Sequence, residues 1–290
     1  MKKIPVIAVK ICSRCMYAAV LLILLHFCRR IFIAEKFIIP SYSMYPTLIP
    51  GDRILVSKLE YGARIYRSFD FSDHAALRCM RMPSLGKISA GDILVFNQVH
   101  PYGDWSKIEF KINAVFCKRV LGAPGDTVSI ADGVNFNNHY SGTIGLMQSQ
   151  NSLQNVPDSV LIQSNCFYAY PWTNGYNIKN LGPLYVPAKG DCVELDLWHC
   201  TLYAKPVEYE TGLELTYSDG QAFLGTEPVS SYTFQDDWFY TVGDNCIDSQ
   251  DSRYWGFVPG RHVIGVAKFI LWCRDSNTNH RNAGRNFIKL

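Results

Sequence analysis

Ile49–Val56 reads IPGDRILV, and the same unit, a Gly-Asp turn followed by apolar strand-like residues, returns at three further places. These are SAGDILVF (Ser89–Phe96), GAPGDTVSI (Gly122–Ile130) and PAKGDCVEL (Pro187–Leu195). Glycine takes a positive-φ turn position at no steric cost and aspartate closes the turn, so strands are expected to begin where these pairs end. A fifth copy, VGDN (Val242–Asn245), lacks the strand pattern after it, and the units are too short and unevenly spaced for a solenoid. With 17 Tyr, 16 Phe and 21 Gly favouring strands and turns over long helices, the fold expected is mainly β.

At 290 residues and 48% hydrophobic content the chain can bury a substantial core. Its net charge is +3, from 28 basic and 25 acidic residues, and the basic residues are scattered. No basic stripe of the kind a nucleic-acid face requires is present, so nucleic acid is not an expected partner. The apolar run MYAAVLLILLHFC (Met16–Cys28) stands apart, flanked by Lys2, Lys3, Lys10 and Arg14 before it and Arg29 and Arg30 after it. Thirteen helical residues reach about 20 Å against a hydrocarbon core of ~30 Å, so a span has to extend over roughly 11–33 with Arg14 or Arg29 snorkelling. A cleavable leader is the competing reading, but no small-x-small site follows directly. The charge bias favours residues 1–10 in the cytoplasm and the remainder outside.

Behind this anchor the sequence divides into a β domain over 34–126 and 237–273, an inserted, mostly β, non-catalytic subdomain over 127–236, and a polar tail over 274–290 read as a frayed end. The insertion is rich in Asn, Ser, Tyr and Gly and has no helical periodicity. Ser57–Gly86 reads as a strand running into a long loop. Of ten cysteines, Cys12, Cys15 and Cys28 lie in or beside the apolar run, leaving an odd seven elsewhere. Buried small apolar residues describe most of them better than a disulfide framework does. No metal and no cofactor are expected, since Cys12 and Cys15 have no second pair at ligand spacing.

PSYSMYPTL (Pro40–Leu48) sets Ser41 and Ser43 between prolines. A serine hydroxyl attacks only when a base takes its proton. None of the seven histidines, His74 included, lies in a glycine-framed motif, and no Gly-x-Ser-x-Gly elbow occurs. A lysine serves instead if burial lowers its pKa by several units from ~10.4. In INAVFCKRVLGAPGD a strand over 114–121 would put Ala114, Phe116, Lys118 and Val120 on one face and Arg119 on the other, so that one cation is buried and its neighbour solvated. An ordinary basic step on a half-exposed strand fits the same stretch. GDNCIDSQDSRYWGFVPG (Gly243–Gly260) gathers Asp244, Asp248, Ser249, Asp251 and Arg253, a hydrogen-bonded loop or, without an acid to close the coordination sphere, a poor calcium loop.

In this order, behind an N-terminal anchor, the three segments PSYSMYPTL, KRVLGAPGD (Lys118–Asp126) and GDNCIDSQDSRYWGFVP (Gly243–Pro259) resemble the boxes of the bacterial type I signal peptidase family, membrane-anchored serine peptidases that use a Ser/Lys dyad. The resemblance covers roughly 29–127 and 237–272. It implies Ser43 as nucleophile, Lys118 as general base, Ser41 as an oxyanion-hole donor, Ser249 as the hydroxyl orienting the lysine, and Asp251 with Arg253 as a supporting pair. It further implies that Phe37, Ile39, Pro40, Leu48, Ile54, Phe116 and Cys117 line small pockets, so that cleavage follows small residues in an Ala-x-Ala pattern. Signal peptides of secretory preproteins and membrane lipid are the implied partners, with the catalytic domain on the outer, periplasmic side of the cytoplasmic membrane. Family members commonly carry Arg-Asp where this chain has Cys246 and Ile247. Cys117 is also smaller than the branched residue usual beside the lysine. Two rival readings are a self-cleaving Ser/Lys regulatory peptidase, for which no DNA-binding segment precedes Ser43, and a tethered β domain that only binds a partner.

Overall fold

The computed structural model describes residues 6–67, 72, 79–101, 104–274 and 280–290. Lys2, Lys3 and His74 lie outside the described residues. An α-helix, Val6–Cys28, is followed by a short π-helical turn, Arg29–Ile33, and then by the first strand. Over Cys12–Ile33 the mean hydropathy is 1.8 and none of the segment is buried, so this helix is long and apolar enough to cross a membrane. At 1.5 Å per residue its 23 residues reach about 35 Å, which removes the shortfall counted from the apolar run alone.

Four of the Gly-Asp units fold identically. Gly51, Gly91, Gly125 and Gly190 have φ between 90° and 92°. In each, the aspartate side chain accepts from the backbone N–H three residues earlier: Asp52 from Ile49, Asp92 from Ser89, Asp126 from Ala123 and Asp191 from Ala188, at 2.8–3.0 Å. The chain then enters a strand at or within two residues of the aspartate.

The main sheet is antiparallel, with strands Ala34–Ile38, Asp52–Ser57, Val263–Arg274, Ile93–Gln98, Lys111–Gly122, Trp238–Val242 and Val258–Pro259 side by side in that order. Twist curls it far enough that Phe37 on the first strand and Val115 and Cys117 on the fifth pack on one cluster with Ile54, Val95 and Ile264. Two strand edges stay open among the described residues. Ala34–Ile38 is paired on one side, and Trp238–Val242 takes up only Arg119–Gly122, leaving the second edge of 115–118 without a strand partner.

Several expectations need correction. The segment 127–236 contains strands but also the helices Met147–Asn155, Asp158–Gln163 and Leu197–Thr211. The last gave no helical period because it is packed on more than one side, burying Cys200, Leu202, Tyr203, Lys205, Pro206 and Val207, so its apolar residues form no single stripe. Nor is the insertion separate in its packing: Val128, Leu184, Tyr203 and Val207 share a core cluster with Leu121, Trp238, Tyr240 and Phe257. The described part of the tail, 280–290, is not frayed. Arg281–Asn282 and Ile288–Lys289 pair with Val263–Arg274, and Arg285 donates to Asp52 Oδ1 (2.9 Å) and to the Thr47 carbonyl (2.8 Å). Within Ser57–Gly86, Arg64–Tyr66 and Cys79–Arg81 form a small antiparallel pair. No two of the ten cysteines are joined by a disulfide, and only Cys200, Cys246 and Cys273 are buried.

Candidate active site

Ser41 and Ser43 lie in the turn-rich connection between the first two strands, which leaves Ser41 exposed and Ser43 half-buried. Their hydroxyls are 3.4 Å apart. Met44 and Leu48 on the same connection are buried and fix it to the core beneath. From the other side, Asn245 N–H donates to the Ser43 carbonyl at 3.1 Å and Asn245 Nδ2 to the Tyr42 carbonyl at 3.2 Å.

Lys118 sits in the strand Lys111–Gly122, opposite Leu94, and is 4% exposed. Burial pushes its pKa down to about 8, although the nearby Asp251 carboxylate pulls the other way. Its amine donates to Ser249 Oγ at 3.0 Å. Asp251 is fully buried and engaged elsewhere: Arg253 donates to both of its oxygens at 2.8 Å, and Gly243 N–H to Oδ2 at 2.8 Å. Burial alone would raise the Asp251 pKa, but the Arg253 charge and these hydrogen bonds hold it below the usual carboxylate range.

Arg119 is not solvated as expected from strand alternation. It donates through Nε to Asp244 Oδ1 at 2.6 Å and through Nη1 to the Gly91 carbonyl at 2.6 Å. Thr47 Oγ1 donates to the second oxygen of the same Asp244. One carboxylate therefore ties the serine connection to the lysine strand. Gly243 has a different task from the turn glycines, because a Cβ there would collide with Ser249 Oγ and the Ser43 carbonyl. The two segments approach that closely only over a bare Cα.

Ser41, Ser43 and Lys118 line one cleft of about 380 Å³. Phe37, Ile39, Pro40, Ile54, Phe116 and Cys117 line it too, as do Val95 and Gln250, which the sequence did not single out. Leu48 does not: it is fully buried in the cluster below, so the pocket role drawn from the resemblance fails for that residue. Ser249, Asp251 and Arg253 stand behind Lys118 and do not line the cleft. Among the described residues no histidine lines it either. Asp244, Thr47 and Arg119 were missed because their link joins three distant segments, and the Gly-Asp signature of Asp244 read as another turn. Cys246, at the departure from the family pattern, is buried with Leu153, Leu161, Ile178 and Tyr254, while its N–H donates to Ser149 Oγ at 2.9 Å.

A serine hydroxyl and a buried amine of lowered pKa in one cleft make nucleophilic chemistry available without histidine or metal. Comparison with known proteins agrees with that class. The family model of signal peptidase, peptidase S26, matches residues 12–272. Signal peptidase I of Buchnera aphidicola from Acyrthosiphon pisum is 30% identical over 261 residues, covering 88% of this chain and 73% of that protein. The enzyme of Leptolyngbya laminosa is 27% identical, with 84% and 71% covered, and that of Pseudomonas aeruginosa 27%, with 84% and 66% covered. A crystal structure of a signal peptidase I from Enterococcus faecalis aligns with 63% of this chain and 98% of that one, at 20% identity and a TM-score of 0.30, too slight a likeness to carry an argument about geometry. The chain belongs to the signal peptidase family, peptidase S26, and is a serine peptidase.

Proposed function

We propose that this serine endopeptidase removes signal peptides from secretory preproteins, with Ser43 as nucleophile and Lys118 as general base. The observation that carries the residue assignment is the buried Lys118 amine, held on Ser249 in the same cleft as Ser43 with a pKa of about 8. Neutral Lys118 takes the Ser43 proton as the hydroxyl attacks the scissile carbonyl, then returns it to the departing amine. Ser41 Oγ and the Ser43 N–H stabilise the oxyanion. Among the described residues Ser43 and Lys118 make no hydrogen bond to each other, and attack requires the two groups to close on one another as substrate enters the cleft.

An extended peptide fits this groove because both flanking strands offer free edges to it. The apolar lining between Phe37 and Cys117 accepts small side chains at the first and third positions before the cut, an Ala-x-Ala rule. The helix Val6–Cys28 anchors the enzyme as a single span in the bacterial cytoplasmic membrane with its catalytic part on the outer face, where shared confinement raises the effective concentration of a bilayer-held substrate. Purified full-length protein should cleave a peptide bearing an Ala-x-Ala site, and Ser43→Ala and Lys118→Met should each abolish cleavage while leaving the fold intact. Cleavage by both variants at the wild-type rate would reject the assignment.

A further inference from the structure

Past Phe37 and Val115, which line both, the cleft continues into a second cavity of about 200 Å³ bounded by Glu35, Lys58, Arg64, Asn97 and Ile112. Its charges are unevenly satisfied. Glu35 accepts from Lys58 at 2.9 Å and from Arg30 at 3.0 Å, so its one negative charge meets two cations. Arg64 donates to Asn97 Oδ1 at 2.7 Å and makes longer contacts to the carbonyls of Arg261 (3.4 Å) and His262 (3.5 Å). Among the described residues no carboxylate pairs with it and its Nε–H has no hydrogen bond. Burial lowers its pKa, as it does for a cation whose partners do not offset lost hydration.

The place of this cavity along the groove indicates what reaches it. From Lys118 back to Val115, where the second cavity begins, the strand runs three regular residues, about 10 Å at ~3.3 Å per residue, and then bulges over 112–114, so an extended peptide beside it arrives some four residues from its scissile bond. That direction is upstream of the cut, because the small-residue pockets lie between Ser43 and Phe37. It is also the membrane side, because the enzyme's own apolar helix ends one turn before Ala34 and Glu35. A signal peptide reaching the groove from the bilayer is helical while it lies in hydrocarbon and has to stop being helical to lie extended in the cleft. The last four carbonyls of a helix have no partner within it, and that end carries about half a negative charge.

Resting on the signal-peptide reading above, we propose that the Glu35–Arg64 cavity receives the carbonyl end of the substrate's apolar helix, with the Arg64 guanidinium as the donor that caps it. The enzyme then measures the spacing between helix end and cleavage site as well as the small residues at the cut.

The test uses full-length enzyme in vesicles and two substrates with the same Ala-x-Ala site, one preceded by an apolar helical segment with a spacer of about four residues and one a short peptide without it. Arg64→Gln should lower kcat/KM on the helical substrate by about tenfold, the worth of one hydrogen bond to a charged donor, through KM, and leave the short peptide within about twofold. Arg64→Lys should recover part of the loss, and lengthening the spacer by four residues should cost the wild type activity but not Arg64→Gln. An unchanged ratio between the substrates, or an equal fall on both, overturns the proposal, the second outcome marking Arg64 as structural. Failure of the underlying reading looks different: the wild type then cleaves neither substrate, or Ser43→Ala cleaves the short one.

Discussion

The Lys118 amine donates to the Ser249 hydroxyl at 3.0 Å rather than to the carboxylate of Asp251 two residues on, both oxygens of which are held by Arg253. A lysine paired directly with a carboxylate would keep its proton, whereas a neutral hydroxyl positions the amine without fixing its charge. With the pKa at about 8, the fraction of neutral Lys118 rises through the mildly alkaline range. Accordingly, kcat/KM should climb with pH with a midpoint near 8 and level off above it. A midpoint near that of an exposed lysine would rule out Lys118 as the base.

Removing the hydroxyl frees the amine to leave its place. Ser249→Ala should reduce kcat by about 10²-fold with KM little changed, the usual cost of a misplaced catalytic group. Steady-state kinetics on an Ala-x-Ala peptide distinguish this from a binding defect.

Stability should respond to the same burial. The folded pKa of Lys118, about 8, lies below its unfolded value of ~10.4, so between them the unfolded chain holds more protons and stability rises with pH. Below about pH 8 the folded state bears the full penalty of charging a buried amine. Lys118→Met should therefore be more stable than wild type at pH 7, by on the order of 2–3 kcal/mol, with the difference shrinking above pH 8. Urea midpoints at pH 6, 7 and 10 measure it, and a destabilised variant at pH 7 contradicts the reasoning.

The ion pair between Arg119 and Asp244 is poorly exposed, with side-chain exposures of 15% and 0%. Asp244→Ala leaves Arg119 without its counter-charge and Thr47 without its acceptor, and should cost about 3–5 kcal/mol in denaturant unfolding. Activity should fall even at temperatures where the variant stays folded, because the serine connection loses its tie to the lysine strand.

Gly243→Ala introduces a methyl group where Ser249 Oγ and the Ser43 carbonyl already lie. The expected result is a drop in kcat of at least about 10²-fold with near-native circular dichroism. Wild-type kinetics would mean that the two segments sit farther apart in solution.

Much of this was readable from local signals. The Gly-Asp units announced the strands because a positive-φ glycine and a turn-closing aspartate are local requirements, met in the same way at Gly51, Gly91, Gly125 and Gly190. Strand alternation put Lys118 and Arg119 on opposite faces without saying which one is buried, and the resemblance singled out Lys118 and supplied its partners. The fate of Arg119 did not follow, since alternation says which face a side chain takes but not whether a carboxylate 125 positions on waits there. Leu48 and Phe37 are alike as apolar residues beside the serines; only the curl of the sheet puts one under the cleft and the other in its wall. The helix Leu197–Thr211 went unseen because a helix surrounded by partners loses the polar face that would reveal its period. The tail looked loose because the pairing of Arg285 with Asp52 depends on residues more than two hundred positions apart.

Asp244 touches Thr47 from the first box and Arg119 from the second, yet it belongs to the third. Ser249, the support for the Lys118 amine, arrives later still in the chain. During synthesis Ser43 and Lys118, the proposed nucleophile and base, are thus made long before Asp244 and Ser249 can hold their segments in register. A chain that ends before residue 240 therefore lacks Asp244 and Ser249, the residues whose hydrogen bonds tie Thr47, Arg119 and Lys118 together.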